Sequence, residues 1–169
     1  MRWIQDDREF AAVLNRAHQL TTGGPKAEAQ MSVLVFDDVV LLTPSFFSLL
    51  VLLMKCSSDK AVSYVVIQPD PISYFHRFFG KYSALEISDG DSAEEYLMIL
   101  NEDPGDSPAD AVGINFGVAV IVPDSGLWFA QVSHSADDDG GQLWVPLAWV
   151  AEIISAHPYL HAKEPQLVS

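Results

Sequence analysis

The side chains able to do chemistry in this sequence are few, and their spacing suits neither catalysis nor metal binding. The one thiol, Cys56, would be a nucleophile if His18, His76 or His134 folded beside it, but it follows the most apolar stretch. A free cysteine in such surroundings is expected as a small buried filler. His157 and His161 stand four apart, the helical spacing for two metal-binding imidazoles, but Pro158 interrupts the helix and no acid completes the set. Both are expected in an exposed tail. Gly105-Asp106-Ser107 puts a serine in a Pro-rich acidic loop, not on the strand-to-helix turn of a nucleophile elbow. Asp137-Asp138-Asp139-Gly140 lacks the alternating ligands and closing Glu of a calcium loop. Phosphate-cradling glycine motifs are absent. These patterns predict no catalytic residue, no metal site and no cofactor.

Two constellations remain. Tyr74 to Tyr82 holds five aromatics with Arg77 and Lys81. On a helix, Ile72, Phe75 and Phe79 share an inward face, which leaves Tyr74, Arg77 and Phe78 as candidate partner contacts, since aromatic and Arg side chains anchor interfaces. The second is acidic: Glu102, Asp103, Asp106 and Asp110 in one loop, Asp137, Asp138 and Asp139 in another, with Trp128 and Trp144 on neighbouring strands. Trp128 joins the candidate contacts.

Charge gives the acidic set its meaning. The 169 residues carry a formal charge of −14. Residues 1–81 balance eight bases against eight acids, whereas Tyr82 to Ala162 contains 14 acids and no Lys or Arg. Such a field repels nucleic acid and anionic membrane and attracts basic surfaces. Plain solubility is the competing explanation for it. One cysteine excludes an internal disulfide. The first residues lack a signal-peptide run, and the longest uncharged apolar stretch, Val39–Met54, is 16 residues against about 20 for a membrane span. A cytoplasmic location is the expectation.

The elements that must carry these residues follow from local signals. Asp6 with Glu9 predicts a helix cap, and Phe10, Val13, Leu14 and Ala17 one apolar face. Met31–Leu42 reads as β with an interruption at Asp37-Asp38, either a tight hairpin or a strand running into a loop. Thr43-Pro44 opens a helix that is apolar on nearly every side. Further strands are predicted at 62–67, 83–88, 115–122, 127–134 and 142–145, with helices at about 71–80, 92–100 and 147–157. Residues 101–113 read as a flexible acidic loop and 158–169 as a frayed tail. The prediction is one domain, α/β or α+β, over 1–169. It has a mixed sheet of five to six strands with helices on one or both faces.

The function class expected from charge and size is a non-catalytic acidic domain that binds a basic protein, as an immunity or antitoxin-type inhibitor of a nuclease-like toxin does. A secretion chaperone, a small enzyme with dispersed acid/base residues (Glu94, Glu95, Asp137, His134) and an oligomeric structural subunit are the alternatives.

Overall fold

A computed structural model describes residues 1–25, 30–68, 70, 76–77, 80–102, 117–134 and 140–163. Helix α1 (Asp7–Gly23) starts where the Asp6 carboxylate accepts from the N–H groups of Arg8 and Glu9, and ends at Gly24, whose positive φ of 74° suits only glycine. Glu9 does not reciprocate the cap; it pairs with Arg2. Helix α2 (Pro44–Ser57) starts at Thr43, whose hydroxyl accepts from Phe46 N–H, with Pro44 where no donor is required. Ser92 and Glu95 cap each other's backbone at α3 (Ala93–Leu100). A 3-10 turn, Leu147–Trp149, leads into α4 (Val150–Ala156).

The strands are β1 (Arg2–Trp3), β2 (Met31–Phe36), β3 (Ala61–Gln68), β4 (Ala84–Ser88), β5 (Gly117–Pro123), β6 (Phe129–His134), β7 (Gly140–Pro146) and β8 (His161–Ala162). They form one sheet in the order β1-β4-β3-β5-β6-β7-β2-β8, and every neighbouring pair is antiparallel. The expected mixed sheet of five to six strands is thus corrected to eight antiparallel strands. The two extra ones are two-residue strands, too short to show a period of two, and they exist only because a longer edge strand offers them partners. Asp37-Asp38 marks neither a hairpin nor a loop. β2 ends at Phe36, and Asp37 caps a 3-10 helix, Asp38–Leu42.

Helices cover both faces of this α+β sheet. Phe10, Val13, Ala17 and Leu20 of α1 pack on Val65, Val120, Val122 and Phe129. On the other face α2, α3 and α4 cover Leu34, Tyr64, Leu85, Ile121, Val132 and Leu143. α2 meets both the sheet and α3, which is why Phe46, Phe47, Leu49, Leu50, Leu53 and Met54 are all buried around its circumference. Each such side chain contributes about 1.5–3 kcal/mol. Along β5 the faces alternate, Ala119 and Ile121 facing α2's layer and Val120 and Val122 facing α1. Gly141 is a close-approach position. A Cβ there would lie 2.1 Å from the ring of Phe36, which is held in the core beside Phe46.

Candidate functional site

Five strand ends meet along one end of the sheet. Gly117 at the start of β5 pairs with His134 at the end of β6, and Ser133 pairs with Gly140 at the start of β7. Gly141 pairs with Phe36 at the end of β2, and Gln68 at the end of β3 pairs with Val118. These residues flank, in the chain, the segments that carry Asp103, Asp106 and Asp110, then Asp137, Asp138 and Asp139, then the aromatic run. The acid- and aromatic-bearing segments, far apart in sequence, therefore join the fold at neighbouring points. The same end holds an open depression of about 250 Å3 lined by Val35, Phe36, Gln131, Ser133, Gly140, Gly141 and Gln142. Its described lining offers two amides and a hydroxyl for hydrogen bonding.

Most other carboxylates of the cation-free stretch are answered from within the chain. Asp91 meets the Met1 ammonium at 2.5 Å, Glu86 meets Arg2 at 3.1 Å, Asp89 meets Lys60 at 3.1 Å, and Asp124 pairs with Arg16. Glu102, expected as a partner contact, accepts from Lys81 at 3.1 Å and from the Trp3 indole at 3.2 Å. Burial pushes its carboxyl up, but these two donors hold it below the usual value. The reason is topological. Pairing of β4 with β1 and β3, and the packing of α1 on β5, bring Met1, Arg2, Lys60 and Arg16, on or beside β1, β3 and α1, near Asp91, Glu86, Asp89 and Asp124.

Trp128 is also corrected. It is completely buried, and its indole N–H donates to Ser57 Oγ at 3.2 Å. Asp59, invisible as a special residue in sequence, organises that corner. It is 8% exposed and accepts from Ser57 Oγ at 2.5 Å, Ser125 N–H at 2.8 Å and Ser125 Oγ at 2.7 Å. The network ties the end of α2 to the β5–β6 turn and is structural. Trp144 stacks on Phe129 with centroids 4.2 Å apart.

The histidine and cysteine readings divide. His157, expected in a frayed tail, is buried after α4; its Nδ1 lies 3.2 Å from the Tyr159 hydroxyl, which donates to Ser45 O. Burial lowers its pKa. His161 lies exposed in β8, whose residues pair with β2 rather than fraying. Cys56 is half-buried, with its thiol pushed up by desolvation and then by Glu152, so it is a poor nucleophile. No group of His, Cys, Asp and Glu among the described residues is placed to hold a metal, and no described helix is long and apolar enough to cross a membrane. Arg77 is exposed, and neighbouring His76 stacks on Tyr82 at 4.2 Å. Tyr74, Phe78, Asp103, Asp106, Asp110, Asp137, Asp138 and Asp139 lie outside the described residues. No protein-family model, curated protein or solved structure matches the chain.

Proposed function

We propose that this chain is a non-catalytic binding domain that docks a basic protein, in the manner of an inhibitor that occupies the cationic cleft of a nuclease-like toxin. The observation that carries this reading is the pairing of Gly117 with His134 and of Ser133 with Gly140, which seats the anchors of two acidic segments side by side. Arg2, Arg16, Lys60 and Lys81 support it too, because other carboxylates already engage them. Asp103, Asp106, Asp110 and Asp137 to Asp139 are the acids assigned here to cations of a partner. Clustered carboxylates steer a basic partner and speed its association. The amides of Gln131 and Gln142 and the Ser133 hydroxyl, in the adjoining depression, add neutral hydrogen bonds.

The test is capture of partners by the tagged chain from its native cells at about 50 mM salt, repeated at about 500 mM. One basic protein is expected, lost as salt rises and lost at low salt when Asp137, Asp138 and Asp139 are changed together to Asn. A partner held equally at both salts, and equally by the triple variant, overturns the reading. So does turnover of a small molecule by the isolated chain.

A further inference from the structure

The depression at the end of the sheet lies on the α1 face. Phe129 of β6 and Trp144 of β7 pack on that side, and side chains alternate along a strand, so Gln131, Ser133, Gln142 and Gly140 belong to it as well. Leu34 and Phe36 of β2 face the opposite layer, which leaves Val35 on this one. Register sets these residues in two rows. Gln131, Gln142 and Val35 stand abreast on β6, β7 and β2, and Ser133 beside Gly140 forms the next row toward the sheet end. The two amides and the hydroxyl are half-buried, and among the described residues none of the three side chains has a hydrogen-bond partner. Two amide oxygens and a hydroxyl are thus available to accept from a ligand.

Charge selects the kind of ligand. β2, β6 and β7 contain no Asp, Glu, Lys or Arg. Asp37 follows Phe36 in the chain, and Asp137-Asp138-Asp139 precede Gly140. Lys163, whose N–H donates to Val33 O, does not line the depression. A neutral hydrogen-bonding surface flanked by carboxylates repels anions and favours cations. Its volume of about 250 Å3 is below the roughly 300–1,000 Å3 of small-molecule sites and suits a single side chain.

We propose that this depression receives an arginine side chain of the basic partner, an assignment that rests on the binding role above and names the group that role recognises. A guanidinium is a planar fork of donors and suits acceptors spread over Gln131, Ser133 and Gln142, whereas an ammonium concentrates its donors at one point. Val35 supplies apolar contact for the methylene stem. Gly140 keeps the second row open, since a Cβ there would meet nothing nearer than Phe36 O at 3.6 Å.

Titration of the full chain with N-acetyl-arginine amide at about 50 mM salt tests this, followed by NMR through the Gln131 and Gln142 NH2 groups and the β7 backbone amides. The citrulline analogue, of the same shape but uncharged, and the lysine analogue are the controls. The arginine compound is expected to bind about tenfold more tightly than either, because charged donors strengthen each hydrogen bond and the fork spans the acceptors. Gln131→Leu with Gln142→Leu, and separately Gly140→Val, are each expected to weaken it about tenfold. The three ligands compared on the parent chain decide the matter even where a variant folds poorly. Equal binding of the three, no signal shift at about 50 mM ligand, or full binding by the folded variants overturns the proposal. Capture of a basic protein by a chain that ignores arginine keeps the binding role and removes this pocket. Arginine binding by a chain that captures nothing keeps the pocket and removes the binding role.

Discussion

Replacing Asp59 tests whether a network that no motif announces holds two layers together. Its carboxylate accepts three hydrogen bonds at 2.5–2.8 Å while only 8% exposed. In Asp59→Ala, Ser57 Oγ falls back on Leu53 O, already 2.9 Å away, and the Ser125 hydroxyl can turn. The Ser125 N–H has no such alternative. A hydrogen bond to a charged acceptor is worth about 1.5–3 kcal/mol, and an orphaned buried donor costs about 1–3 kcal/mol. With partial recovery by the hydroxyls the expected loss is about 3 kcal/mol, or roughly 10 °C in melting temperature for a chain of this size. Asp59→Asn keeps the shape: its oxygen accepts from Ser125 N–H, and its NH2 meets hydroxyls that can reverse their roles. The expected loss is then about 1 kcal/mol. Urea unfolding monitored by tryptophan fluorescence measures both, with Trp128 reporting from inside the network. An Asp59→Ala midpoint within about 0.5 kcal/mol of the parent would show that Asp59 contributes nothing net and refute the reasoning.

Two further outcomes follow from buried polar groups. The Tyr64 hydroxyl is buried without a hydrogen-bond partner among the described residues, and burial raises its pKa, so Tyr64→Phe is expected to leave urea stability unchanged or raise it by about 1 kcal/mol. A clear loss would reveal an acceptor at that position. His157 has a lowered pKa through burial, so the unfolded chain binds its proton more readily than the folded one. Its contribution to stability is complete above the ordinary value near 6.5 and lost as pH falls from there to the folded value. His157→Gln is expected to flatten that part of the stability–pH curve, and an unchanged slope would count against the assignment.

Local chemistry made much of this molecule readable from its residues. Asp6, Thr43 and Ser92 announce helix starts because a side-chain acceptor beside free N–H groups acts within one turn. The six longer strands show in their β-branched, apolar runs for the same reason, since alternation and propensity act over neighbouring residues. Charge asymmetry is likewise a property of composition. Pairing is not. Which strand lies beside which, and hence that Arg2 meets Glu86 and Arg16 meets Asp124, depends on contacts between residues far apart in the chain. Trp128 illustrates the limit. As a residue type it suits an interface as well as a core, and only the closure of α2 over the β5–β6 turn buries it and gives its N–H a partner. Composition thus established that the chain is acidic in its second half. The antiparallel sheet established which of those acids are neutralised, because ion pairing falls off within a few ångströms and so depends on through-space distance rather than chain order.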